Sequence, residues 1–182
     1  MGIEYGYNYT KRFNNMLENV QAELNNFAKY VIKQSRANLT RGKKNSSKEL
    51  YNSLDYNLNV SKNSFSLELL MADYGVFQDK GVSGVKKKYN TPYSYTTKMP
   101  PPSKMDKWIV KKGLKGIRGK DGKFIKRKSL QFMIARSIFN NGIKPSLFFT
   151  KPFQKAFKNL DKDIVKAYAL DVEKLLETTI KK

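Results

Sequence analysis

The chain has 182 residues, enough for one domain with a hydrophobic core. Its 36 Lys and Arg residues outnumber 15 Asp and Glu, for a formal charge of +21, and it has no His and no Cys. Those absences exclude disulfides, imidazole and thiolate catalysis, and ordinary zinc or haem sites. We therefore expect neither a metal nor another cofactor, and no catalytic residues.

The ends and hydropathy of the chain give no sign of a membrane. The first ten residues contain Glu4 and no apolar run of the secretory type, and no stretch approaches 18 consecutive apolar residues. We therefore expect no signal segment and no contact with a membrane.

The first predicted element is a long amphipathic helix over 10–38. Its apolar residues are spaced 4, 3, 4, 3 and 4 apart, at Phe13, Leu17, Val20, Leu24, Phe27 and Val31. Such a stripe either covers the core of the same chain or forms a coiled-coil seam with another.

A short helix and a β-hairpin follow. Ser46 and Glu49 have the spacing of a capping box, which predicts a helix start. Apolar and polar residues then alternate over 56–60 and again over 65–71, the pattern of two strands with one buried face. Beyond them, 72–81 predicts an aromatic turn or short helix that Gly81 terminates.

The middle of the chain is less regular. Residues 82–102 contain four Pro and predict a long functional loop, and Ser103 and Asp106 predict a helix cap before Gly113. Asp121-Gly122 is typical of a tight hairpin turn. We expect Trp108 to be buried beneath its helix.

Two helices are predicted after this region. One runs from Ser129 to Gly142, and an extended segment follows over 145–152, because each Pro disfavours helix in the residue before it. Thr150 is the predicted cap of the last helix. That helix carries apolar residues 3 or 4 apart, at Phe153, Phe157, Leu160, Ile164, Tyr168, Val172 and Leu175. Phe148, Phe149 and Phe153 are predicted core anchors.

These elements define an α+β fold. It has a long N-terminal helix, a small antiparallel β-sheet, further helices and a long C-terminal helix, with an extended basic loop. We expect 1–182 to be one domain, with a helical and β-hairpin core over 10–81 and 129–182 and a basic insertion over 82–128.

The positive charge is concentrated in that insertion. From Lys80 to Lys128 there are 16 basic and two acidic residues, so this segment carries +14 of the +21. An electropositive arm of this kind predicts an anionic partner. The candidate contact residues are Lys86, Lys87, Lys88, Lys111, Lys112, Lys115, Arg118, Lys120, Lys126, Arg127 and Lys128.

The residues leave several interpretations of this charge open. The excess of Lys and Asn is also what an AT-rich genome produces. The partner is either an acidic protein surface or nucleic acid, whose bases could stack on Tyr89, Tyr93, Tyr95 and Trp108. Because no groove-reading motif occurs, nucleic-acid binding would be independent of base sequence. A metal-dependent nuclease using Asp55, Glu68, Asp73 and Asp79 is a third interpretation, although the usual strand spacing of such carboxylates is missing.

Three segments resemble a known family of structural proteins. They are Ser46–Leu54 leading into the hairpin, Tyr74–Gly81, and Lys144–Phe153 before the terminal helix. In this order they resemble the tail-completion or head-tail joining proteins of tailed bacteriophages, also called minor tail or neck proteins. The basic middle, 82–128, is longer than the loop of that family.

The resemblance implies a non-catalytic virion subunit made in the cytoplasm of a bacterial host. It implies a six- or twelve-fold ring of identical subunits in the neck, joining the portal or adaptor to the tail tube. The long loop would then contact a neighbouring subunit, an adjoining ring or, without sequence specificity, DNA in the channel.

Overall fold

The computed structural model describes residues 17–45, 47–61, 64–114 and 117–180. The described part contains six α-helices, a 3-10 helix and a two-stranded antiparallel sheet, which confirms the predicted α+β class. Residues 10–16 of the first predicted helix, Ser46 of the capping box and Lys115 lie outside this part. In chain order the elements are α1 (Glu18–Arg41), α2 (Glu49–Ser53), β1 (Asp55–Ser61), β2 (Ser64–Leu70), α3 (Gly75–Lys80), the 3-10 helix (Pro102–Met105), α4 (Asp106–Lys111), α5 (Arg127–Asn141) and α6 (Thr150–Ile180).

Helix α1 buries the stripe that its spacing predicted. Val20, Leu24 and Val31 are buried, and the Phe27 ring meets Phe153 of α6 edge to face at a centroid distance of 5.7 Å. Near its start α1 contacts Asp171, so the two long helices run antiparallel. The interpretation of α1 as a helix that covers the core of its own chain is therefore confirmed for the described residues.

The β-hairpin lies against these helices through one face. Its register pairs Tyr56 with Leu69, Leu58 with Leu67 and Val60 with Phe65, so directly opposite residues share a face. These six side chains are half-buried, whereas the alternating polar ones are exposed. A two-stranded sheet is marginal alone and depends on this cover.

The core consists of two clusters. One contains Val20, Leu24 and Ala167 with the apolar face of the hairpin packed on it. The other lies at the opposite end of α1 and contains Ile32, Leu39, Leu50, Leu54 and Phe148. Each fully buried apolar side chain of this size stabilises the fold by roughly 1.5 to 3 kcal/mol. The prediction that Phe148 is a core anchor is confirmed, since it is 1% exposed.

The start of α6 differs from the sequence prediction. The helix begins at Thr150, so Pro152 lies inside its first turn instead of ending an extended segment over 145–152. A helix needs no N–H donor there, which is why proline is tolerated. Nor is Thr150 the capping residue, because its hydroxyl and its backbone N–H both donate to the carboxylate of Asp79.

The basic insertion, residues 82–128, which we call the basic segment, is bonded to the core at its first residues. Val82 and Ile143 exchange two backbone hydrogen bonds, at 2.8 and 2.7 Å. The chains approach so closely that a Cβ on Gly142, whose φ is +70°, would lie 2.1 Å from the carbonyl oxygen of Val82. Gly142 also ends α5, as its position predicted.

Candidate functional site: the basic segment and its surroundings

The basic segment presents its charges to solvent. All ten candidate residues in the described part of the chain are exposed: Lys86, Lys87, Lys88, Lys111, Lys112, Arg118, Lys120, Lys126, Arg127 and Lys128. The candidate Lys115 lies outside the described residues. Within the described ranges the single ion pair joins Arg127 to Asp106. The surface is therefore electropositive, with little internal neutralisation.

The run 86–88 lies at the carboxyl end of α5. The backbone N–H of Val85 donates to the carbonyl of Phe139, and those of Lys86 and Lys87 donate to the carbonyl of Asn140. These contacts satisfy carbonyls that the last turn of a helix leaves without a partner. Positive side chains are also favoured at this end of the helix dipole. The backbone of this run therefore has a structural role at the end of α5.

The tyrosines of the loop contact other parts of the same chain. Tyr93 packs edge to face on Phe77 with 4.7 Å between ring centroids, and Tyr95 lies beside Phe139 at 6.1 Å. Burial raises the pKa of Tyr95 above its usual value. The Ser83 hydroxyl donates to the carbonyl of Tyr89 and accepts from its N–H. Loop 82–99 thus folds onto the protein, with the rings of Tyr93 and Tyr95 half-buried.

Trp108 contradicts its prediction. It is 42% exposed, whereas its neighbour Ile109 is 2% exposed and occupies the core-facing position of α4. A helix of six residues has too few positions for periodicity to identify its buried side. Trp108 is therefore a surface side chain beside the basic residues.

Asp106 joins α4 to α5. Its carboxylate accepts two hydrogen bonds from Arg127, at 2.6 and 2.9 Å, and another from Gln131. The Arg127 hydrogen bond is the main reason that the pKa of Asp106 lies below its usual value. The predicted capping by Ser103 and Asp106 is not seen, since neither side chain makes a cap hydrogen bond. Arg127 therefore links α5 to α4 and also contributes positive charge to the surface.

The predicted turn at Asp121-Gly122 is confirmed. Arg118 pairs with Phe124 across a small antiparallel bridge, and Gly122 adopts a φ of +75°. The Arg118 guanidinium lies 4.5 Å from the centre of the Phe124 ring and donates to the carbonyl of Gly122. The bridge projects Lys120 and Lys123 into solvent.

Two buried carboxylates cap helices, a role that the sequence analysis did not predict. Asp79 accepts from the N–H groups of Phe149 and Thr150 at the start of α6, and Asp171 accepts from those of Asn19 and Val20 at the start of α1. Each carboxylate thus caps a helix from a distant part of the chain. For Asp171 a signal exists, because it lies 7 residues after Ile164, at a core-facing position. No local pattern marks Asp79.

Helix α6 has an exposed apolar stripe, which includes two residues of its predicted periodic set. Phe157 and Tyr168 are 57% and 55% exposed, and Val165 and Leu176 beside them are 68% and 55% exposed. The buried side of the helix is centred instead on Ala167 and Asp171. The apolar arc of α6 is therefore wider than the core that it covers.

A cationic groove on α1 was also missed. It encloses about 700 Å³ between α1, α2 and β1, and its lining includes Lys29, Lys33 and Arg41. At its wall Arg36 donates to the carbonyls of Tyr51 and Leu54, at 3.1 and 2.8 Å. Lysines three or four apart on the exposed side of α1 are the signal that could have indicated it. Arg36 itself is occupied in holding α2 to α1.

Other kinds of site are not found in the described residues. They contain no group of three or more acidic side chains able to hold a metal ion, and none of their helices is long and apolar enough to cross a membrane. Asp79, one of the carboxylates considered for a nuclease, is used as a helix cap.

Comparisons with protein-family models, curated proteins and solved structures give no significant match.

Proposed function

We propose that the chain is a structural subunit of a tailed-phage neck, a head-tail connector or tail-completion protein. It would form a six- or twelve-fold ring that joins the portal or adaptor to the tail tube. The observation that carries the proposal is the meeting of the three segments on which the family resemblance rests. They are separated in sequence by the hairpin and by the basic middle, yet they form one packing unit.

Two contacts define this unit. Leu50 and Leu54 of the first segment pack with Phe148 of the third in one buried cluster. Asp79 of the second segment accepts hydrogen bonds from Phe149 and Thr150 of the third. Its backbone carbonyl also accepts from Ser146 and Leu147, at 3.0 and 2.9 Å. If the three segments are a motif that the family needs for folding, we expect them to contact one another in this way.

The basic segment has a natural place in this proposal. A neck ring surrounds the channel through which DNA passes and contacts rings above and below it. The ten exposed candidate cations of the basic segment, in loops and at the ends of α4 and α5, can contact acidic protein surfaces or the phosphate backbone without sequence specificity. No catalytic role is assigned to it.

Quantitative mass spectrometry of purified phage particles that encode this chain tests the proposal. We expect it in every particle at a fixed copy number of six or twelve, and at a neck position in electron micrographs of antibody-labelled particles. Absence of the chain from particles would overturn the proposal.

A second candidate is a sequence-independent nucleic-acid-binding protein. The observation that favours it is the exposed charge of the segment 80–128, which has one ion pair among the described residues. Its test is the binding of duplex DNA across salt concentrations. A plot of log K against the logarithm of the salt concentration should have a slope of roughly −0.9 for each phosphate contacted. K86Q/K87Q/K88Q should reduce that slope, whereas K29Q/K33Q/R41Q in the α1 groove, which removes the same number of charges, is the matched control and should not. A slope unchanged by the first variant would exclude this arm as the binding site.

A further inference from the structure

The β-hairpin has an open edge along β2. The backbone N–H of Tyr56 donates to the carboxylate of Asp55 at 2.8 Å, so at this residue the backbone of β1 is directed away from β2. In an antiparallel pair this direction alternates from residue to residue and is shared by opposite residues. The outward-directed residues of β2 are therefore the partners of Tyr56, Leu58 and Val60, and in the described part of the chain no strand pairs with them. They are Leu69, Leu67 and Phe65.

The composition of the hairpin leaves this edge open to a further strand. Natural proteins protect an exposed edge with Lys, Pro or a bulge. Lys and Arg number 36 in the chain, yet β1 and β2 contain no Lys, Arg or Pro, and their register runs over seven pairs without a bulge. The edge of β1 is different, because its first outward N–H is bonded to Asp55 and the cationic groove lies beside it. The edge of β2 is therefore the available one.

The first residues of the chain have the sequence pattern of a strand. Residues 1–16 lie outside the described part. Over 3–10 apolar residues alternate with polar or small ones, and the apolar set is Ile3, Tyr5, Tyr7 and Tyr9. A period of two with aromatic residues is typical of a strand with one apolar face. Strand β2 has the same alternation over 64–69, with its apolar residues on the inner face.

The described chain begins beside this edge. Leu17 and Phe65, which is near the start of β2, pack against the same buried cluster. Because α1 begins at Glu18, residues 11–16 can serve as a connection, and a chain of that length spans up to roughly 20 Å. Strand β2 leads away from this end of α1, since its far end is paired with Tyr56, whose hydroxyl donates to Asn25. A segment that turns back from Leu17 would therefore run antiparallel to β2.

We propose that residues 4–10 dock on the edge of β2 in the same chain, as the third strand of the sheet. The connection favours the chain's own edge over that of a second copy, because so short a tether gives an effective concentration on the order of millimolar. A third strand gives the sheet the number that independent stability needs, and it closes an edge on which copies would otherwise aggregate. The register that brings the apolar residues onto one face pairs Tyr5 with Leu69, Tyr7 with Leu67 and Tyr9 with Phe65.

Engineered disulfides test this contact, because the chain has no Cys of its own. In the proposed register Asn8 lies opposite the exposed Ser66, which places the thiols of N8C/S66C within reach of each other. N8C/N59C is the matched control. Asn59 is the exposed partner of Ser66 on β1, so it lies two strand spacings, roughly 10 Å, from Asn8, too far for a disulfide.

On mild oxidation we expect N8C/S66C to form an intramolecular disulfide at least about tenfold faster than N8C/N59C, seen as a faster-migrating monomer on a non-reducing gel. Equal rates, or a faster reaction of the control, would overturn the inference. Disulfide-linked dimers of N8C/S66C would also overturn it, because the segment would then lie on another copy. The inference does not depend on the proposed ring, since the contact lies within one chain.

Hydrogen exchange tests the backbone bonds of the same contact without cysteines. The N–H groups of Leu67 and Leu69 gain partners when the segment docks. Y5S/Y7S/Y9S removes the apolar face of the segment, and G6S/N8S/T10S is the matched control on its other face. We expect these two N–H groups to exchange at least about tenfold faster in the tyrosine variant than in the wild type and the control, with exchange in α1 unchanged. Equal exchange in all three proteins would contradict the docking.

Discussion

Asp171 and Asn19 lie 152 residues apart in sequence and are joined by two hydrogen bonds. One Asp171 oxygen accepts from the backbone N–H of Asn19 at 3.0 Å and from its side-chain amide at 2.7 Å, and the other accepts from the N–H of Val20 at 3.1 Å. A carboxylate on the last helix therefore caps the first one. Asp79 does the same for the last helix, so the two long helices depend on caps from outside their own starts.

Substitution of Asp171 should destabilise the protein without abolishing its fold. D171A leaves the N–H groups of Asn19 and Val20 without partners in a buried place and removes the charge that favours a helix start. We expect a loss of about 1 to 3 kcal/mol in the free energy of unfolding, measured in urea. Asp161 is exposed on the same helix, and D161A should change stability by less than about 0.5 kcal/mol. Equal effects of the two substitutions would contradict the capping role.

Substitution of Asp79 should affect stability and also a nearby lysine. Burial lowers the pKa of Lys44, and the negative charge of Asp79 raises it in part compensation. D79N should therefore move the pKa of Lys44 further below its ordinary value, as followed by NMR titration of the lysine side chains. It should also cost about 1 to 3 kcal/mol of stability through the weakened cap of α6. A Lys44 pKa that rises in D79N would show that the carboxylate does not act on it.

Two serines should respond to alanine in opposite directions. The Ser35 hydroxyl is fully buried in α1 and has no hydrogen-bond partner, so S35A should stabilise the protein by about 0.5 to 1 kcal/mol. Ser53 donates to the carbonyl of Leu50 and accepts from the N–H of Ala72, both at 3.0 Å. S53A should therefore destabilise by about 1 to 3 kcal/mol. Urea unfolding of both variants is the measurement, and a destabilised S35A would mean that its hydroxyl has a partner.

The ion pair between Asp106 and Arg127 should break in acid. Hydrogen bonding to Arg127 lowers the pKa of Asp106 below its ordinary value of 3.8. A carboxylate with a lowered pKa in the folded protein contributes stability above its ordinary pKa, and this is lost as the pH falls through the folded-state pKa. Trp108, the single tryptophan, lies two residues away and reports on α4 by fluorescence. We expect an acid transition below pH 3.8 in the wild type and none in D106N.

Elements with strong periodicity could be predicted from the sequence. The stripe of α1, the alternation of the hairpin and the terminating glycines each encode their structure within a few residues. The hairpin register follows from the same alternation, because a shift of one residue would exchange buried and exposed faces.

What could not be predicted depends on contacts between distant segments. The partners of Asp79 and Asp171 are 70 and 152 residues away. The apolar spacing of α6 does not indicate which part of the helix meets α1, and Phe157 and Tyr168, which belong to that spacing, are exposed. The basic segment was identified by composition, yet only the fold shows that Tyr93 and Tyr95 are used internally while Phe132 and Met133 are presented outward.

Native mass spectrometry of the purified chain, with negative-stain imaging of the same sample at several salt concentrations, tests the central claim most directly. The account predicts one dominant assembly, a closed ring of six or twelve subunits. A chain that remains monomeric at every concentration and salt, alone and with added portal complex, would contradict it.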